Sequence, residues 1–261
     1  MPFIQPSKSK HACPKRSISF SNLLAVDTAT NACSVAIWKE RHLVVENTNV
    51  TRQTHSRHLL GMIENALTIA KIGLSDLDGF VVTKGPGSFT GLRIGISTVK
   101  GLARATNKPL VGVSYLKCLA QQSAAAKGLV CAMIDARRRE LYYALYRFDD
   151  SGIKVVISES VEPLSNLVAK IGEHCLFIGN GTYENRERLT KMLGQRALFA
   201  PDFQHILRAE TIIWAGQKQL EKGPQEQVEN LVPNYIRKSD AQINLADLRL
   251  TGSDAHNKRT M

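Results

Sequence analysis

The chain has 261 residues, 43% of them hydrophobic, which is enough for two lobes and a sizeable core. No apolar run reaches the roughly 18 residues that a membrane helix needs. The five cysteines, at 13, 33, 118, 131 and 175, form no Cys-x-x-Cys pair, which argues against disulfides and zinc and for a reducing, cytoplasmic setting. The net charge of +11 gathers at the ends, with +4 in residues 1–22 and +2 from Arg249 onward, leaving a mildly basic middle. That balance suits an acidic partner such as RNA, and equally two solvated tails.

In chain order, residues 1–22 are Ser- and Lys-rich, acid-free and without periodicity. They read as a disordered extension outside the fold, with a targeting peptide or an over-long reading frame as alternatives. Leu23 to Val26 is a short buried-strand pattern ending at Asp27, followed by a turn of small residues from Thr28. Strands are expected over Ser34–Trp38 and His42–Asn49, then a helix from about Thr54 to Lys71. Ser75 to Asp78 has the spacing of a capping box. A strand at Gly79–Thr83 leads into a glycine-rich loop and a helix from Leu92 to Thr106. Next come a strand at Pro109–Ser114 and a helix at Tyr115–Ala126. The opening pattern then returns. Val130 to Ile134 ends at Asp135, 108 positions after Asp27, and a turn leads into Leu141–Tyr146. A strand at Cys175–Ile178, helices at Tyr183–Leu193 and Arg208–Lys222, and a loop-like end around Pro233 complete the chain. Two lobes on one strand–Asp–turn–strand plan define an α/β fold. The expected division is an extension at 1–22, lobe I at 23–108 with a returning helix near 208–222, lobe II at 109–207, and a C-terminal segment at 223–261.

The loop Gly85-Pro86-Gly87-Ser88-Phe89-Thr90-Gly91 continues neither neighbouring element. A tight loop at a helix N-terminus accepts either an anion or a closely packed backbone. No Gly-Lys-Ser/Thr follows, so it is not a Walker A loop. Pro86 stands two before Ser88, so it is not a nucleophile elbow.

The paired openings resemble those of the actin-like and Hsp70-like ATPase superfamily. More closely, the chain resembles the TsaB (YeaZ) family. The resemblance rests on Leu24-Ala25-Val26-Asp27-Thr28-Ala29-Thr30, Ser34 to Trp38, His55-Ser56 with Leu59-Leu60, and the glycine loop through Gly95. Gly112-Val113-Ser114, Ile134-Asp135-Ala136-Arg137 and Val232-Pro233 with Tyr235-Ile236-Arg237 complete it. It covers about Leu23 to Ala241. It implies a non-catalytic scaffold for a TsaD-type catalytic partner that transfers threonylcarbamoyl to adenosine 37 of tRNA. A TsaE-like ATPase is the implied third component, with a homodimer when alone, tRNA contact only through the complex, and no membrane contact or cofactor. An independent metallopeptidase or ATP-dependent transferase of the same superfamily is the alternative; a standalone RNA-binding protein is a second.

The residues favour the scaffold. In TsaD a His-x-x-x-His pair ligates a metal, and Tyr115 and Leu119 stand at the corresponding positions here. A phenol and an alkyl chain do not replace two imidazoles. His55 and His58 are only two ligands and read as helix surface. Asp27, Thr28, Ser88 and Asp135 are the candidates for a degenerate nucleotide cleft. However, Arg137-Arg138-Arg139-Glu140 supplies no glycine turn around a phosphate, and both aspartates read as caps of hairpin bends. Gly179-Asn180-Gly181-Thr182 reads as a turn, with adenosine contact as the alternative. The helices from Thr54 and Leu92 carry apolar residues over more than one stripe. With the resemblance, this places the partner interface at Leu59, Met62, Ile63, Ala66, Ile94, Ile96, Ser97 and Gly101, with Met62 on the outer stripe.

Overall fold

The computed structural model describes residues 20–51, 53–223 and 227–237; residues 1–19 of the expected extension and the tail from 238 lie outside the described residues. Asp78 marks where the fold begins. Its Oδ2 accepts the amides of Ser21 and Asn22, each at 2.8 Å. These bonds seat Phe20 in the core, 4% exposed, beside Leu23 and Trp38. Phe20, Ser21 and Asn22 therefore belong to the fold, which corrects the expected extension at 1–22.

Strands β1 (Leu23–Asp27), β2 (Ala32–Lys39) and β3 (His42–Val50) form an antiparallel meander. A 3-10 turn at His55–Arg57 and helix α1 (Leu59–Ala70) lead to β4 (Gly79–Thr83), which lies parallel to β1. Helix α2 (Phe89–Thr106) leads to β5 (Leu110–Val113), parallel to β4, and closes a sheet of order β3-β2-β1-β4-β5. β5 thus belongs to the first lobe, which corrects the expected boundary at 108. The central strands β1 and β4 are buried throughout. Their uninterrupted apolar runs, rather than alternating ones, reflect cover on both faces.

The second sheet repeats the plan. Helix α3 (Tyr115–Gln121) precedes the meander β6 (Gly128–Asp135), β7 (Glu140–Asp149) and β8 (Gly152–Pro163). The short helix α4 (Leu164–Val168) leads to β9 (Cys175–Ile178), parallel to β6. Helix α5 (Gly181–Leu193) then leads to β10 (Ala197–Phe199), parallel to β9. The order β8-β7-β6-β9-β10 matches that of the first sheet strand for strand. This duplication is the two-lobed strand–Asp–turn–strand plan expected from the sequence.

Helix α6 (Ala209–Glu221) packs on the first sheet, against β1, β2, β4 and β5. Gly216 sits against Val81, where a Cβ would collide with the valine side chain. Residues of α3 and α6 share one core with β1, β4, β5, β6 and β7, so the lobes are joined by a common apolar layer. α1 and α2 pack on the opposite face of the first sheet, in a separate core.

Three local expectations are corrected. The turn before β4 is a 3-10 turn at Leu74–Asp76, in which Asp76 Oδ2 accepts the amide of Gly73 at 2.8 Å, so it opens two residues before Ser75. α3 ends at Gln121 and not at Ala126. Ala124 to Ala126 are exposed, and helix propensity without a face to bury does not sustain a further turn. β8 was not anticipated, because this half-exposed edge strand carries Lys154, Glu159 and Glu162 in place of an apolar period.

Phe20→Ala should cost about 3 kcal/mol by loss of a buried ring. Removing residues 1–21 should lower the stability similarly; urea unfolding of each variant checks this.

Candidate functional site: the interlobe cleft and the outer face of the helix pair

A cleft of about 930 Å³ lies between the β1–β2 turn, the glycine loop and the first turn of α2 on one wall, and the β6–β7 turn with the start of α5 on the other. The glycine loop serves backbone packing. The Ser88 amide donates to the Ala29 carbonyl at 2.7 Å. Thr28 Oγ1 donates to the Gly91 carbonyl at 2.8 Å. A Cβ on Gly87 would collide with the Ala29 carbonyl, one on Gly91 with the Thr28 carbonyl, and one on Gly95 with the Thr28 hydroxyl. Ser88 caps α2, its Oγ accepting the Gly91 amide at 3.2 Å. Of the two readings left open by the loop's composition, close backbone approach is the one realised.

Asp27 lies behind this contact, fully buried. Its Oδ1 accepts the Thr83 hydroxyl at 2.5 Å and the Ala29 amide at 3.0 Å, while Oδ2 has no partner. Burial outweighs these hydrogen bonds and pushes its pKa up from 3.8 to about 6. Burial, with the charge of Asp27 second, pushes the neighbouring Cys33 thiol up to about 11. Thr28 is equally buried. Neither Asp27 nor Thr28 faces the cleft as the candidate reading requires, and only Ser88 of this group is exposed on this wall.

On the opposite wall Asp135 is exposed. Its Oδ1 accepts the Arg137 amide at 2.8 Å, and its own amide donates to Asn180 Oδ1 at 3.1 Å. Arg137, Arg138 and Arg139 all adopt left-handed backbone, with φ of 61°, 53° and 63°. The amides of Ala136 and Glu140 close the turn onto the carbonyls of Glu140 and Arg137. The capping role read from sequence holds for both aspartates. Asn180 braces the turn, and α5 begins directly after it.

Several groups of this cleft already have partners within the chain. The amides of Ser88, Gly91, Ala136 and Arg137 are engaged within the chain. Tyr115 and Leu119 are 2% and 0% exposed in the interlobe core, and burial drives the Tyr115 phenol well above its ordinary range. His55 Nε2 bonds to the Thr30 carbonyl at 2.7 Å, and His58 Nε2 to Gln53 Oε1 at 2.8 Å, so the two imidazoles serve separate local contacts. Among the described residues, no group of three or more His, Cys, Asp or Glu is placed to hold a metal ion.

The C-terminal segment also lines the cleft, which its loop-like sequence did not suggest. Tyr235 stacks on Phe89 with ring centroids 4.7 Å apart. The Arg93 guanidinium lies 4.0 Å from the Phe89 centroid, and its Nε donates to the Tyr235 hydroxyl at 3.0 Å. The motif Tyr235-Ile236-Arg237 was visible in the sequence, but its position in the fold was not.

The helix pair requires a larger correction. Leu59, Met62, Ile63, Ala66 and Ile96 are buried in the core beneath the helices, with Met62 only 5% exposed. They form the inner stripe, because periodicity reveals stripes without telling which one meets the sheet. Among the eight expected interface residues, Ser97 and Gly101 are exposed and Ile94 is half-buried. The outer face of α1 is Leu60, Gly61, Glu64, Asn65, Thr68 and Ile69, with Leu60 and Ile69 at 61% and 54% exposure. Gly61 and Gly101 face open space. Part of the apolar surplus of α2 is covered by the chain's own C-terminal segment, since Leu231 is buried and Val228 packs in the same core.

The duplicated plan, with a glycine loop closed on backbone, defines a two-lobed α/β protein with a cleft between its lobes. Residues 46–245 match the family described as TsaD, tRNA N6-adenosine threonylcarbamoyltransferase. The chain is 28% identical to the tRNA threonylcarbamoyladenosine biosynthesis protein TsaB of Bacillus subtilis, over 84% of this chain and 96% of that protein. It is 41% identical to TsaB of Escherichia coli, over 50% of this chain and 57% of that protein. The solved structure of YeaZ from Pseudomonas aeruginosa superposes with a TM-score of 0.71 at 33% identity, covering 82% of this chain and 99% of that one. The chain belongs to this family, on its TsaB (YeaZ) side.

Gly91→Ala should lose about 2–3 kcal/mol, because its methyl group meets backbone that has no room to yield; urea unfolding measures it. A second prediction concerns pH. The folded pKa of Asp27, about 6, exceeds its ordinary 3.8, so its contribution is most favourable at low pH and is lost as pH rises through 6. The loss should reach up to about 3 kcal/mol, at 1.36 kcal/mol per pKa unit. Asp27→Asn should flatten this dependence between pH 4 and 8, as read from unfolding curves across that range.

Proposed function

We propose that the chain acts in tRNA threonylcarbamoyladenosine biosynthesis as a non-catalytic subunit that docks a TsaD-type transferase. The observation that carries this reading is the conversion of the glycine loop into a backbone contact. It leaves the cleft without a phosphate cradle, while Tyr115 and Leu119 are committed to the core. The family model takes its description from the transferase, and the TsaB relatives are named for the biosynthesis. An independent metallopeptidase or ATP-dependent transferase needs a metal or phosphate site where these residues pack. A standalone RNA-binding role rests on the net charge and the exposed Arg137 to Arg139 alone.

The docking surface in this proposal is the outer face of α1 and α2. Leu60 and Ile69 provide apolar anchors, and Gly61, Ser97 and Gly101 leave room for close approach by a partner helix. An interface of about 800 Å² per partner accommodates these groups. The same face pairs two copies when the chain is alone, as symmetric dimers use one patch twice. A TsaE-like ATPase completes the assembly, and tRNA is met through the complex. No helix among the described residues is long and apolar enough to cross a membrane, and we assign the chain to the cytoplasm with its partners.

Gly101→Arg and Leu60→Glu should abolish co-purification with the transferase of the same cell and leave thermal unfolding nearly unchanged. Met62→Glu should instead unfold the first lobe, since it places a carboxylate in the core at a cost of several kcal/mol. Light scattering and pull-down decide the proposal. A wild-type chain that stays monomeric at tens of micromolar and ignores the transferase defeats it.

A further inference from the structure

We propose that residues 227–237 form a latch that fastens the two lobes to each other across the cleft, holding them in one fixed relation. The inner end of the segment is anchored on the first lobe. Leu231 is 3% exposed and sits over Gly112 of β5, where a Cβ would press on its side chain. Lys100 Nζ of α2 donates to the carbonyls of Glu229 and Leu231 at 2.8 and 3.2 Å. Arg104 pairs with the Glu229 carboxylate at 2.6 Å. The Asn234 amide donates to the Lys84 carbonyl at 2.6 Å, directly before the glycine loop.

The outer end is fastened to the second lobe. Asn234 Nδ2 donates to Glu159 Oε2 of β8 at 2.7 Å. Arg237 Nη1 pairs with Oε2 of Glu140, the first residue of β7, at 3.0 Å, with both side chains half-buried. Glu159 is gripped a second time from the first lobe, because Ser114 Oγ, after β5, donates to its Oε1. Asn234 therefore holds the glycine-loop strand with its backbone and the second sheet with its side chain. Between these contacts, Tyr235 stacks on Phe89 at the start of α2.

A hinge needs one side of the cleft free to open. Here the α3–α6 layer joins the lobes through apolar packing, and the latch joins them through polar contacts at the cleft itself. Opening requires breaking the Asn234–Glu159, Ser114–Glu159 and Arg237–Glu140 contacts together, while the Tyr235–Phe89 stack holds the latch on the first lobe. The inference is independent of which partner the helix face binds.

The test is single-molecule energy transfer on the full chain, with dyes on Glu40→Cys of the first lobe and Glu187→Cys of the second in a Cys13→Ser background. The other four cysteines are buried and should not label. Picomolar concentration keeps the chain monomeric. The parent should show one narrow efficiency peak. Asn234→Ala combined with Tyr235→Ala should broaden or split that peak while far-ultraviolet circular dichroism stays unchanged. An unchanged peak in the folded double variant overturns the latch. If that variant does not fold, charge reversal decides. Arg237→Glu should shift or split the peak, and adding Glu140→Arg should restore it. A single reversal without effect, or a double reversal that fails to restore the peak, overturns the proposal.

Discussion

The structure depends on the close approach of the glycine loop and α2 to the β1–β2 turn. Thr28 and Ala29 receive the loop through backbone contacts that tolerate no Cβ at Gly87 or Gly91. This contact sets where α2 begins and how near it lies to the first sheet. It also seals Asp27 from water with one oxygen unpartnered, so a carboxylate that a nucleotide site would expose becomes a buried structural group with a raised pKa. Two of the loop's amides, those of Ser88 and Gly91, are used within the chain.

A second layer of constraint joins the lobes. α3 enters the interlobe core directly after β5, and α6 crosses back to the first sheet, so the lobes share one core on their facing sides while each keeps a second core of its own. Tyr115 and Leu119 belong to this layer. Both side chains close the apolar core between the lobes. The left-handed Arg137 to Arg139 turn is likewise held by its own hydrogen bonds and by Asn180. The outer face of the helix pair, with Leu60 and Ile69, is exposed on the first lobe.

Much of this architecture was legible in the chain. Uninterrupted apolar runs at Leu23–Asp27 and Gly79–Thr83 announce strands covered on both faces, and the recurrence of strand, aspartate, turn and strand announces the duplication. These features are local: each depends on the pleat, the turn or the helical period of a few neighbouring residues. The composition of the glycine loop likewise determined that something must approach closely. Tertiary structure decided the remainder. Whether the loop receives an anion or a carbonyl depends on Thr28 and Ala29, nearly sixty positions away. Which stripe of α1 meets the sheet depends on the side of β2 that faces it, so Met62 lies inside and Leu60 outside. The edge strand β8 and the segment ending at Arg237 carry no strong period, because their positions are set by partners such as β7, Glu159 and Phe89 and not by any face of their own. Short-range periodicity records what an element must bury; only the assembled chain specifies against what.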